Sequence, residues 1–286
     1  MWLLLALAGA LCTAAADVLT KKAAPDVPEH VVALARWVYT IPVLLFLLPF
    51  MKIPALSPGF FLVVLVLIPM EMAALFIYIR AISTSPLSLS APFLSFTPLF
   101  MIIPAAIILD EKIPALGMAG IALVTAGAYA INIRGVSGGL QSPFRAIFHE
   151  RGPRMVLLVA AIYAVTSTLT KRAVMEAGPY FFALFYMTVL SASLVTVTVL
   201  RGESVRPVFS GWRRLAPTGA LLGLAAVLLY AALTMAPATY TIAVKRTSML
   251  MGVFAGRIFF NEGGFAQRLS GASLMFAGVV MIALAK

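Results

Sequence analysis

Polar residues punctuate this chain instead of patterning it. Apolar runs cover residues 2–20, 31–50, 58–79, 87–109, 114–133, 155–173, 180–200, 215–235, 238–260 and 264–285, each close to the ~20 residues that a helix needs to cross the hydrocarbon core of a bilayer. The connections are mostly about 4 to 10 residues long, so almost nothing is left from which to build a water-soluble domain. The pattern predicts an all-α integral membrane protein of about ten transmembrane helices.

Composition agrees. The chain is 62% hydrophobic and 11% charged, whereas about a quarter of the residues in a soluble domain are charged. The net charge of +11, from 21 Lys and Arg against 10 Asp and Glu, would point to nucleic acid in a soluble chain. Here short basic loops that fix topology account for it, and no nucleic-acid partner is expected. A single cysteine, Cys12, lies inside the first apolar run, which excludes an internal disulfide and a thiolate metal cluster. That first run, "LLLALAGALCTAAAD", ends in the small residues Ala14, Ala15 and Ala16 as a signal peptide would, but no Lys or Arg precedes it. Leu11 is also too bulky for a lipoprotein cleavage site before Cys12.

The stronger reason to read the first run as structure is that it has a counterpart. "LTKKA" at 19–23 answers "LTKRA" at 169–173, an offset of 150, and Ala33-Leu34 answers Ala183-Leu184. At an offset of 151, Pro86 meets Pro237, Ile107 meets Ile258, Glu111 meets Glu262, Gly120 meets Gly271 and Gly127 meets Gly278. Two halves of five helices each are the simplest account: residues 1–134, a basic connecting loop at 135–153, and residues 154–286. An odd number of spans inverts the second half in the membrane, which is the inverted-repeat plan of secondary transporters. Within each half, "LDEKIPALGMAG" at 109–120 and "FNEGGFAQRLSG" at 260–271 place a carboxylate at a tight turn between the fourth and fifth helices. Glu111 and Glu262 there are expected to be structural caps for free helix N–H groups, with Pro114 suited to a first helical turn.

These endings, each a proline-containing run followed by glutamate and a glycine-bearing helix, resemble the EamA-type members of the drug/metabolite transporter superfamily. Lys22 after the first helix and Arg36 in "LARW" resemble that family's Lys and Arg positions, and the resemblance covers essentially the whole chain. It implies a multi-pass permease of the cell (inner) membrane with ten helices and a central cavity between its halves. Family substrates range over amino acids, nucleobases, sugars and organic cations, so the cargo stays open, as do import and export. One departure is Gly263-Gly264, where the family often has a basic residue; Lys112 supplies one in the first half.

Ionisable groups at membrane depth cost roughly 3 kcal/mol each on insertion scales, so each needs a partner or water. Glu71 lies near the middle of the third helix, Lys245 and Arg246 lie inside the ninth, Arg36 inside the second, and Asp17 near the end of the first. One reading makes them braces, with Glu71 paired to Arg36, Lys245 or Arg246, and Asp17 to Lys21 one turn on. The other makes Glu71, Lys245, Arg246 and Arg36, with the aromatic Tyr39, a substrate-binding set. Three cations against one carboxylate suit an anionic or zwitterionic solute such as an amino acid. A coupling proton is a candidate partner.

Pro92, Pro98 and Pro104 recur every six residues in the fourth helix and are expected to bend or open it, as hinges of a gate. Gly252 and Gly256 form G-x-x-x-G in the ninth, which predicts close helix packing. No catalytic residue, cofactor, metal site or enzyme signature is expected: His30 and His149 fall in separate loops and no phosphate loop is present. The alternative to transport is a membrane-embedded lipid-handling protein, a flippase subunit or a lipid enzyme. The lipid bilayer itself is a partner, and the expected state is a monomer or a homodimer.

Orientation draws two opposed expectations. Loops after odd-numbered helices carry thirteen Lys and Arg, and the other face carries five, which by the positive-inside bias puts both termini outside. The family resemblance implies both termini inside.

Overall fold

The structure is a computed structural model that describes residues 1–23, 27–51, 53–85, 90–132, 149–260 and 265–285. Glu262 and most of the expected connecting loop lie outside the described residues, as do the surroundings of Gly256. Helices α1 (Trp2–Ala23), α2 (Glu29–Val38), α3 (Thr40–Leu45) and α4 (Pro58–Thr84) are followed by a 3₁₀ segment (Ala91–Phe96), α5 (Thr97–Phe100), α6 (Ile102–Leu109) and α7 (Ala115–Asn132). Then come α8 (Arg151–Ala177), α9 (Pro179–Leu200), α10 (Arg206–Ser210), α11 (Trp212–Leu233), α12 (Ala238–Lys245), α13 (Ser248–Phe260) and α14 (Phe265–Leu284). Among the described residues, six stretches are long and apolar enough to cross a membrane: Trp2–Ala23, Pro58–Ala81, Pro92–Leu109, Arg151–Ala177, Pro179–Leu200 and Trp212–Leu233. His30–Leu45, Ala115–Ile131 and Leu269–Leu284 are shorter apolar helices.

Ten continuous helices were the simplest expectation, and the difference lies in where the helices break. The second apolar run divides at Tyr39 because Pro42 has no N–H for the Val38 carbonyl and its ring crowds that turn. The Thr40 hydroxyl donates to the Trp37 carbonyl there at 2.6 Å. The fourth run starts as a 3₁₀ segment and breaks again at Met101. The ninth divides at Arg246-Thr247 with no proline at all. Its break is a single tight turn, in which the Thr247 N–H and hydroxyl both bond to the Val244 carbonyl, at 2.9 and 2.7 Å, a back-bonding habit that bends helices.

The chain forms two compact units, Met1–Val64 with Ala173–Met235, and Leu65–Arg172 with Ala236–Lys286. Each draws on both repeats. In the first, α1 packs on α11, where a side chain at Gly9 would meet Leu229 Cγ at 2.8 Å. Gly219 and Gly223 of α11 in turn let Tyr39 and Thr40 approach closely. A small core of Ala23, Val31, Leu34, Ala35, Val208 and Leu215 closes one end, and Phe60, Phe182, Tyr186 and Tyr230 stack beside it in edge and face contacts.

In the second unit α7 and α14 run antiparallel with their backbones almost touching. A Cβ at Gly120 would lie 2.8 Å from the Gly278 carbonyl, and one at Gly127 would lie 2.5 Å from the Gly271 carbonyl. The close approach expected of Gly252 is not made: no described heavy atom lies within 4 Å of a Cβ there. In this unit the repeat-matched glycines of α7 and α14 serve packing. A Gly127→Val variant should therefore lose about 2 kcal/mol or more of stability, since backbone atoms cannot yield as side chains can. Gly252→Ala should be neutral or gain up to about 1 kcal/mol from helix propensity. Thermal unfolding of the two purified variants in detergent checks both.

Candidate functional site

Within the second unit, α4, α8, the broken fourth run and the broken ninth run bring ionisable and hydroxyl groups together. Glu71 comes from the middle of α4, whose interior Pro69 removes a backbone donor one turn before the Ala73 level. Its carboxyl shares a side-chain hydrogen bond with Thr166 of α8 and lies within electrostatic range of the Lys245 ammonium. Thr166 itself is 2% exposed, so the carboxyl is half-buried against a wall of protein. Lys245 is the last residue of α12 and Arg246 caps it, so both cations sit where the helix stops. There they face the carbonyl-rich end of the α12 dipole, which favours positive charge.

Arg246 is the best-defined member. One guanidinium nitrogen donates to Thr97 Oγ1 at 2.9 Å, and the phenols of Tyr78 on α4 and Tyr163 on α8 are its electrostatic neighbours. Its Nε is buried and has no hydrogen-bond partner among the described residues. Tyr163 also lies within electrostatic range of Glu71 and Tyr78. The result is a cluster of two cations, one carboxylate, two phenols and two buried hydroxyls, able to hold a charged solute by several directed bonds at once.

The Thr97 hydroxyl has a second task. It donates to the Leu94 carbonyl at 2.8 Å, the carbonyl that Pro98 leaves without its helical partner. Ser95 does likewise for the Pro92 carbonyl at 2.6 Å. The three prolines thus do open the fourth run: Pro92 and Pro98 are buried and Pro104 is half-buried, within α6. The Leu94 carbonyl that Pro98 frees is thus satisfied by a side-chain hydroxyl. Thr247 does for Val244 what Thr97 does for Leu94, and both members of that comparison are 150 residues apart (247 − 97 and 244 − 94).

The expected set divides. Glu71, Lys245 and Arg246 come together. Arg36 lies in the first unit, bonded to Asp17 at 2.8 Å and to the Thr20 hydroxyl at 2.7 Å. Asp17 thus meets Arg36 on α2, a partner that the expected braces did not include. Arg36 reaches across because its planar fork can bond carboxylate and hydroxyl together. Tyr39 is also in the first unit, its hydroxyl donating to the Val208 carbonyl at 2.8 Å. A cleft of about 440 Å³ in that unit is lined by Met51, Pro54, Met175, Glu176, Tyr180 and Phe181. Glu176 there accepts the Ser57 N–H at 2.7 Å, and the apolar lining offers no comparable cluster.

Glu111 caps a helix, but not the one that follows it. Both carboxylate oxygens accept the Ala238 N–H, at 3.0 and 2.9 Å, which places Glu111 at the start of α12. Lys171 of α8 meets the same carboxylate at 2.6 Å and donates to the Ala236 carbonyl at 2.6 Å.

Tyr78, Tyr163, Thr166 and Thr97 were not singled out from sequence. A signal for the first was available: Tyr78 follows Glu71 by two helical turns and so shares its face.

The EamA-like transporter family profile matches residues 1–133 and 151–284, nearly the whole chain in two segments. No curated protein matches the sequence. One crystal structure of a protein aligns over 99% of this chain and 96% of its own, with a TM-score of 0.79 at 15% identity, a likeness of fold. With apolar helices long enough to span a bilayer and a family match across both halves, the chain belongs to the EamA-like transporter family and is a membrane protein.

Proposed function

We propose that this chain is a secondary transporter that moves a small carboxylate-bearing metabolite, such as an amino acid, across the membrane by alternating access. Glu71, Lys245 and Arg246 form its solute site. The ten apolar runs are ten spans, arranged as two inverted five-helix repeats at 1–134 and 154–286 joined by the basic loop 135–153. The observation that carries the site assignment is the Arg246 side chain, held at one nitrogen by Thr97 and left at its buried Nε without a hydrogen-bond partner among the described residues. A buried donor without an acceptor costs about 1–3 kcal/mol, and a carboxylate arriving between Arg246 and Lys245 removes that cost. Glu71 balances part of the positive charge when no solute is bound and offers a place for a proton or a solute ammonium. Support for the inverted plan comes from the antiparallel glycine contact of α7 and α14.

A solute screen in proteoliposomes, run with and without a pH gradient, tests the proposal. Arg246→Ala should reduce transport of the best carboxylate solute roughly 10- to 100-fold, the loss of one charge-assisted bond of about 1.5–3 kcal/mol. Arg36→Gln should change it less than about twofold, since its pair with Asp17 is partly exposed and such pairs contribute about 0–1 kcal/mol. Equal effects of the two substitutions would move the site away from Arg246.

The role of Glu71 separates from that of the cations by gradient dependence. Glu71→Gln should abolish the response to a pH gradient while solute exchange at equal pH persists. If Glu71→Gln and Lys245→Ala both fold and transport like the native chain, these charges are braces.

A further inference from the structure

The helix that carries the two cations is short and is held at both ends. α12 has eight residues, roughly 12 Å at 1.5 Å per residue. Its far end is the break at Arg246-Thr247. Its near end begins after Pro237, which serves as N-cap with no side-chain bond of its own. The capping function is supplied from elsewhere: Glu111 takes the Ala238 N–H with both oxygens, and Lys171 takes the Ala236 carbonyl on the other side of the proline. Lys171 and Glu111 then meet each other at 2.6 Å, with their side chains 13% and 10% exposed. Residues 236 to 238 are thus gripped on both flanks of Pro237 by one ion pair, and α12 is a rigid rod between two joints.

A rod of that length has a limited tolerance. Tilting α12 by about 10° around its 246–247 joint moves its Pro237 end by roughly 2 Å, enough to take a 2.6 Å bond out of hydrogen-bonding range. The grip of the ion pair on residues 236 to 238 and the tilt exclude each other. We propose that Lys171 and Glu111 are positioning residues for Lys245 and Arg246: their pair is a releasable clamp that fixes α12 in the state described here and opens when the site changes the face of the membrane it addresses. The clamp deepens the transporter reading and rests on it for its purpose, while its mechanics stand on the geometry alone.

The test uses the chain's single thiol. Cys12→Ala gives a cysteine-free background, into which a reporter is placed either at Ala243, fully buried in the middle of α12, or at Val156, fully buried in α8 of the same unit. Labelling of each detergent-solubilised protein by N-ethylmaleimide is then timed. Glu111→Gln and Lys171→Met should raise the labelling rate at position 243 by roughly tenfold or more and leave position 156 unchanged, because local opening is confined to the released element. Lys171→Arg, which keeps a cation able to bond both Glu111 and the Ala236 carbonyl, should restore slow labelling. No acceleration at 243 in the two charge-removing variants overturns the clamp. Equal acceleration at 243 and 156 overturns it as well, since it reveals a pair that merely stabilises the whole unit. The assay needs no solute, so a clamp that opens while the solute screen stays negative would leave these mechanics standing and remove the transporter reading.

Discussion

A backbone carbonyl that loses its helical partner inside a bilayer has no water to turn to, and an unsatisfied polar group there costs several kcal/mol. At several of its helix breaks this chain answers that cost with a hydroxyl three residues on. Thr40 takes the Trp37 carbonyl, Ser95 takes that of Pro92, Thr97 that of Leu94 and Thr247 that of Val244. Because the repair is made by short side chains of the broken segment itself, the breaks do not depend on a neighbouring helix to exist. Thr97 retains its lone pairs for Arg246, so the repaired backbone also receives the buried guanidinium. The polar cluster of the second unit follows from this, for a continuous ninth helix would carry Lys245 and Arg246 on its flank instead of at a terminus.

The second constraint is charge. Asp17 is met by Arg36 and Thr20 stands beside them. Glu111 is met by Lys171 and by a helix N–H. Glu71 has the Thr166 hydroxyl and the field of Lys245. In the first two cases the carboxylate is paired with a cation, at 2.8 and 2.6 Å. In the third, the guanidinium next door keeps a buried nitrogen unassigned, and that difference separates a site from a strut.

Much of this was legible in the sequence, and what was not is informative. Apolar runs gave the membrane solvent, the offsets of 150 and 151 gave the repeat, and the cost of charge at depth singled out Glu71, Lys245 and Arg246 before any contact was known. Pro92, Pro98 and Pro104 marked the opened fourth run because a missing N–H is a local property. The pairing of Arg36 with Asp17 was not legible, because it depends on the tertiary packing of α2 on the end of α1. Glu111 does cap a helix N–H, but spacing along the chain could not say which helix, for the one it caps starts 127 residues away. The break at Thr247 had no proline to announce it. Tyr78, Tyr163 and Thr166 carry no charge cost and so raised no signal by that route.

The glycine contact between α7 and α14 has an arithmetic that reaches beyond packing. Gly120 and Gly271 are repeat mates, as are Gly127 and Gly278, yet Gly120 touches Gly278 and Gly127 touches Gly271. Each position meets the mate of the other, which is the signature of an isologous interface, the self-complementary kind formed by two identical subunits around a twofold axis. Here both partners are carried on one chain. A polypeptide of half this length bearing only Gly120 and Gly127 would already possess a surface fitted to a second copy of itself inserted upside down. A single chain that carries both partners can keep that shared seam while placing Lys245 and Arg246 in only one of its two halves.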